Sequence, residues 1–317
     1  MITFLIRRLI GAILVLIAVS FITYLIFVKI PGGDPAFRIA GRTATPQNIQ
    51  DIKERLRLND PFYDQYWAMM KSLFTAKLVS YSSQLNVVHQ IKSGIPATFS
   101  LCIGAGIIWL GFGILVGVIS AVTAGRLSDR VITVLALIGI SMPVFWLGLI
   151  VRYLFAQGHP LSVMPDGEYV PLTSNPWQWF VHLLMPWLVL AVLFIGFYGR
   201  VLRSNILDTI NEDYVRTAKA KGLPYKRVLV KHVLRNSLIP IVTLFGLDFA
   251  AVLGGSAILT ETVFDLKGVG WYAAQAVQDL DLPPIMGVTI YATFFIVLFN
   301  TLVDFFYAYL DPRIRPA

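Results

Sequence analysis

The chain has one cysteine, four histidines and few charges for its 317 residues. The lone Cys102 lies in an apolar run, so it forms no intrachain disulfide and reads as packing. His89, His159, His182 and His232 are far apart and show no metal-ligand spacing. No GxxxxGK[ST] phosphate loop occurs, which excludes ATP binding by the usual P-loop. Charged residues make up 14%, against roughly 25% in ordinary globular chains. So few charges cannot cover a soluble surface. Hydrophobic residues reach 56%, which excludes disorder. Yet the net charge is +8. A sparse but basic charge set fits a membrane protein with asymmetric loops. It does not offer the basic soluble face that nucleic-acid binding needs.

What the chain has instead is long apolar runs. Leu9–Val28, Ser93–Gly125, Val131–Val151, Tyr169–Gly199 and Leu282–Val303 hold no Asp, Glu, Lys or Arg, and Asn236–Thr260 is broken only by Asp248. A helical span takes about 20 apolar residues. The runs predict six transmembrane helices, near 9–28, 98–123, 130–156, 176–198, 237–263 and 284–308. The first follows Arg7 and Arg8 but is longer than a signal-peptide core and ends in Lys29-Ile30-Pro31-Gly32-Gly33, so it reads as an uncleaved span. With both termini cytosolic, segments 1–8, 124–130, 199–236 and 309–317 hold 15 Lys+Arg, against 1 in the short outer loops 157–175 and 264–283. The opposite topology would reverse that bias.

The chain divides into 1–28 (cytosolic start and first span), an extracytoplasmic helical insertion at 29–97, and a five-helix core at 98–317. In the insertion, Thr45-Pro46 opens a helix near 46–57, and Asn59-Asp60-Pro61 opens another over roughly 61–75. The second carries Phe62, Tyr63, Tyr66, Trp67, Met70 and Leu73 at helical spacing. It could pack on the bundle, lie in the lipid interface or face a partner.

The cytosolic loop 199–236 predicts two short helices joined at Gly222. Asn211-Glu212-Asp213 opens the first and Pro224 the second, whose stripe is Tyr225, Val228, Leu229, His232 and Val233. Either this basic elbow lies on anionic headgroups, or it docks a cytosolic partner.

Asp248 sits near the middle of the fifth span, where a carboxylate costs roughly 2.5–3.5 kcal/mol. Gly246, Ala250, Ala251, Gly254, Gly255, Ser256 and Ala257 surround it. Small residues permit tight helix packing, or a helix lining a pathway. Glu261 and Asp304 fall nearer span ends, within reach of water. Pro143 and Pro186 predict kinks, and Trp177, Trp179, Trp187 and Trp271 an interfacial belt. No catalytic set emerges from the spacing. These features suit the membrane half of a transporter, and equally a membrane enzyme or passive channel.

The run Asp213-Tyr214-Val215-Arg216-Thr217-Ala218-Lys219-Ala220-Lys221-Gly222-Leu223, then His232 to Pro240, closely resembles the cytosolic loop of bacterial ABC-importer permeases. The resemblance is to the B-type permease subunits of the dipeptide, oligopeptide and nickel group. Pro31–Pro35, Ile95–Thr98, Ser141–Phe145, Gly255–Gly270 and Leu310–Arg315 extend it over nearly the whole chain. It implies a type I importer permease fold, all α, in the bacterial inner membrane. It implies coupling to ATPases through Asp213, Arg216, Thr217, Ala218, Gly222, Leu223 and Pro224. Arg216 and Thr217 stand where the general motif has Glu and Ala, with Asp213 one turn earlier as the available carboxylate. Asp248, Gly254, Gly255, Ser256 and Glu261 are the residues assigned to the pathway. No cofactor belongs to this chain; ATP and Mg would be held by two cytosolic ATPase subunits. The other implied partners are a homologous second permease subunit, an extracytoplasmic binding protein and membrane lipid. Peptides are the implied cargo, with nickel chelates, glutathione and oligosaccharides as alternatives. Two outer stretches depart from the family pattern: Lys267-Gly268-Val269-Gly270, usually Pro-Gly-Leu-Gly, and Ser80–Ser83.

Overall fold

A computed structural model describes residues 2–29, 36, 45–55, 58–158 and 160–310. Pro31–Pro35 and Arg313–Arg315 lie outside the described residues. Among the described residues the chain is helical, with two isolated β-bridges and no strand.

The centre is a pair of long helices, α4 (Val87–Val122) and α7 (Pro176–Thr209). Each starts on an asparagine cap. The Asn86 side chain accepts from the His89 N–H, and the Asn175 side chain from the Trp177 and Gln178 N–H groups. Gly104 lies under the Trp187 ring, and Gly117 under Leu202 and the Gly199 carbonyl. A Cβ at Gly104 would come within 2.0 Å of the ring, and one at Gly117 within 2.8 Å of Leu202. With hydrocarbon on the outside, such close van der Waals contact is what holds membrane helices together. Trp187 is buried in this seam and donates its Nε1–H to the Ser100 carbonyl at 2.9 Å. It does not belong to an interfacial belt; Trp177, 71% exposed, fits one. Pro186 does not interrupt α7, which runs unbroken through it.

The remaining helices enclose this pair. α1 (Ile2–Lys29) packs on the last helix, α14 (Leu282–Leu310), with Arg8 paired to Asp304. In the outer insertion lie α2 (Pro46–Arg55) and α3 (Phe62–Phe74). The predicted third span is two helices, α5 (Leu127–Ser141) and α6 (Val144–Phe155), bent by 99° at Met142-Pro143. Proline removes an N–H and disfavours helix at the preceding residue, and here the break is complete. Among the described residues five helices are long and apolar enough to cross a membrane, or six if the bent pair is one span.

Other boundaries move as well. α4 begins at Val87, so position 98 falls inside it, and α7 continues past 198 to Thr209. The predicted fifth span 237–263 is not continuous. It comprises α11 (Ile239–Ala251), a π-helical turn (Val252–Ser256) and α12 (Ile258–Val263). Gly255, with φ 144° and ψ −14°, breaks the helix. α13 (Val269–Gln278) follows. One core gathers around Trp109, Tyr198 and Leu202; a second, outer core gathers around Tyr24, Met70, Val87 and Met286.

Candidate coupling elbow and pathway helix

The elbow begins three residues after α7 ends. Its first limb is α8 (Asp213–Ala220). Glu212 occupies the cap position without a side-chain cap bond, and Asp213 contributes its charge to the first turn. Asn211 instead donates back to the Leu207 carbonyl. The limb turns at Gly222, whose φ of +73° lies in the left-handed region. Pro224 is the cap of the second limb rather than its first helical residue. That limb is a turn at α9 (Tyr225–Arg227), a π-helical stretch (Val228–Leu234) and a turn at α10 (Arg235–Ser237). The five-residue step brings Val228 and Val233 to the same buried face, while Tyr225 is exposed. Val215 and Ala218 of α8 join the same core. The Asn236 side-chain amide donates to the Tyr214 hydroxyl at 2.7 Å, tying the two limbs together. Ser237 bonds to Asn205 and Thr209 at the end of α7. The elbow is thus an anchored body with a charged outer face. Arg216 and Asp213 are exposed and make only a long contact of 3.5 Å.

A second anchor escaped the sequence reading. Asp129, at the start of α5, receives both Nε and Nη2 of Arg203 at 2.8 Å. It also accepts from Ser120 Oγ at 2.5 Å and the Gly125 N–H at 2.9 Å. Four donors on one carboxylate lock the α4–α5 corner to α7. Ser120 and Gly125 are close by in sequence, but Arg203 lies 74 residues away, so no local pattern marked the ion pair.

The assigned pathway residues do not share one environment. Asp248 is half-buried and accepts from the Tyr198 hydroxyl at 2.7 Å. Ser256 is exposed. Gly254 packs on α14, where a Cβ would lie 2.5 Å from Ile296. Gly254, Gly255 and Glu261 do meet around one cavity of about 20 Å³, with Thr98, Gly270 and Tyr291. That has room for about one water molecule.

Glu261 corrects the expectation most clearly. It is fully buried, not within reach of water. Thr98 Oγ1 donates to its Oε1 at 2.7 Å and the Trp271 N–H to its Oε2 at 2.9 Å. Thr98 Oγ1 also accepts from the Val269 N–H at 2.9 Å. The carboxylate therefore clamps the outer loop after α12 onto α4. Gly268 is required by close approach, since a Cβ there would sit 2.3 Å from Glu261 Oε2. Just before it, Lys267 holds a φ of +51°, a conformation the family's usual proline cannot adopt. The other departing stretch is also pinned internally. Asp281 accepts from Ser80 Oγ at 2.5 Å, Ser82 Oγ at 2.6 Å and the Tyr81 and Ser82 N–H groups at 3.0 Å. Burial, then the charges near Tyr24 and Asp281, push the Tyr81 phenol well above its ordinary value. At the outer end of the bent pair, Arg152 bonds both Asp166 and the Val263 carbonyl at 2.6 Å.

Paired long helices, a span broken at glycine and an anchored elbow define a polytopic helical membrane protein. The chain belongs to the family of binding-protein-dependent transport system inner membrane components, whose model matches residues 113–316. The model for the N-terminal part of such membrane components matches residues 1–102. This family has the type I ABC permease fold, and its members are multi-pass inner-membrane transport subunits rather than enzymes. The chain is 37% identical to a dipeptide transport system permease protein of Alkalihalophilus pseudofirmus, over 99% of this chain and 100% of that protein. It is 37% identical to a probable D,D-dipeptide transport system permease protein of Escherichia coli, over 96% and 95%. It is 35% identical to a di/tripeptide transport system permease protein of Pseudomonas aeruginosa, over 99% of both.

Proposed function

We propose that this chain is one permease subunit of an ATP-driven importer for di- or oligopeptides. It forms half of the pathway with a homologous second permease subunit, and its termini face the cytosol. An extracytoplasmic binding protein delivers the cargo. Two cytosolic ATPases, which hold ATP and Mg, engage the elbows at Asp213–Pro224. The observation that carries this reading is the anchoring of the elbow. Val215, Ala218, Val228 and Val233 are buried in the protein's main core, while Asp213 and Arg216 are exposed. A body held this way transmits a torque to α7 and α11, which a helix pair lying on headgroups would not do. Closure of the ATPases would turn the elbows and swing the packed spans between inward- and outward-facing arrangements. Full-length similarity to peptide-transport permeases supports the cargo class.

The test is co-purification from membranes together with uptake. A stoichiometric ATPase pair and a second permease are expected, with uptake of labelled dipeptides that depends on ATP. An isolated chain that conducts without ATP would overturn the reading in favour of a channel or enzyme.

Asp248 is the pathway position with a testable partner. Asp248→Ala orphans the Tyr198 hydroxyl, and Asp248→Asn retains an acceptor. A pathway role predicts that both variants lower uptake at unchanged protein level, because both remove the charge. If Asp248→Asn transports normally and only Asp248→Ala is impaired, the carboxylate serves helix packing.

A further inference from the structure

A cavity far larger than the one at the pathway helix lies elsewhere. It is a groove of about 1080 Å³ on the outer flank, between α1, α3, the start of α4 and α14. Ligand pockets usually measure roughly 300–1,000 Å³, so this one accepts a large molecule. Its walls are apolar: Ile13 and Ile17 of α1, Met70 and Leu73 of α3, and Ile290 and Phe294 of α14. No carboxylate lines it. Two cations do, Lys71 on α3 and Lys92 on α4. Both are exposed, and neither pairs with a carboxylate among the described residues.

The placement of these groups defines the ligand. Lys71 stands on α3 and Lys92 near the start of α4. Ile13 lies seven residues along α1 from Ser20, which bonds Tyr66 of α3 at 2.8 Å, so the groove runs about 10 Å along the helix from that level. Trp67, 71% exposed, and Phe74, 77% exposed, are aromatic groups of the kind found at headgroup depth. The apolar face of α1 beside the groove is open, with Leu9 and Leu14 more than half exposed. Two exposed cations on an otherwise largely apolar groove match one chemistry: a negatively charged head on hydrocarbon chains.

We infer that this groove binds an anionic glycerophospholipid of the outer leaflet, with its phosphate on Lys71 and Lys92 and its acyl chains along α1 and α14. The lipid would brace α3 against α1, adding to the hydrogen bonds of Tyr66 with Ser20 and Tyr24 with Gln65 and to the ring contacts of Phe21 and Tyr24 with Phe62 and Tyr66.

Native mass spectrometry of the full chain, alone and in its assembled complex, tests this. The probes are phosphatidylglycerol and phosphatidylcholine with identical acyl chains. The wild type should retain phosphatidylglycerol about tenfold better or more, as expected for two basic residues near a headgroup. The exposed lysines allow substitution without disturbing the fold. K71Q/K92Q should lose the preference while still binding both lipids, and K71R/K92R should keep it. An unchanged preference in K71Q/K92Q, or none in the wild type, overturns the site. So does a preference that the isolated chain shows and the assembled complex lacks, since the groove would then be a subunit interface.

Discussion

Replacing Gly222 with valine is expected to abolish uptake while the chain still inserts. The reason is purely conformational. Gly222 holds φ at +73°, and a Cβ there would meet nothing within 4 Å. No steric collision with a neighbour confuses the test. A β-branched residue in this region is an outlier, and holding it there costs roughly 1–3 kcal/mol. The turn would relax to negative φ and redirect the second limb away from Val215 and Ala218. Asparagine tolerates the left-handed region better than other side chains. The expected order of uptake is therefore Gly, then Asn, then Ala, with Val lowest. Membrane levels measured by immunoblot should stay equal across the series. Wild-type uptake by Gly222→Val would show that the elbow's geometry is irrelevant to transport. Equal loss in Gly222→Asn and Gly222→Val would show that the glycine acts by something other than its dihedral angle.

Glu261→Ala is expected to weaken the outer half of the protein substantially. The substitution orphans the Thr98 hydroxyl and the Trp271 N–H, both directed at the carboxylate. A buried donor left without a partner costs about 1–3 kcal/mol, so two cost about 2–6 kcal/mol together. Glu261→Gln should be milder. Its carbonyl can still accept from Trp271, and its amide can donate to Thr98 Oγ1, which has a spare lone pair. The readout is built into the molecule. Cys102 is the only cysteine in the sequence, is buried, and lies one turn beyond Thr98 on α4. Thermal exposure of this thiol to a reactive fluorophore in detergent reports opening at this clamp. The midpoint should fall in the order wild type, Gln, Ala. An unchanged midpoint in Glu261→Ala would mean that the clamp carries no load.

The contrast between Asp248 and Glu261 shows what one sequence can reveal. Asp248 stood out because a carboxylate in mid-span is costly wherever its partner lies. Glu261 looked ordinary because its position relative to the span end implied water. Its burial depends on the close approach of Gly268 and Gly270, and on Thr98, 163 residues away. Apolar runs set by the thickness of the bilayer were legible, and so was the glycine turn of the elbow. The five-residue step from Val228 to Val233 was not, because an apolar stripe written for an α-helix also satisfies a π-helical stretch once neighbours select it. One signal was present and overlooked. Gly113 and Gly117 stand four apart in the second span, a small-residue spacing that marks close helix contact.

The α4–α7 seam has a mechanical consequence. At 36 and 34 residues, the two helices are ~54 and ~51 Å long at 1.5 Å per residue, well beyond the ~30 Å of hydrocarbon they cross. With Trp187 seated over Gly104 and Leu202 over Gly117, neither helix can slide past the other without driving side chain into backbone. The pair is therefore a single beam that tilts but does not telescope. Its inner end carries the elbow directly after Thr209, and α4 carries the outer clamp at Thr98. A tilt of only ~5° would sweep the far end of a beam this long through ~5 Å. On the proposed coupling role, small rotations at the elbow would be amplified by lever length alone, with no intermediate residue needed to relay them.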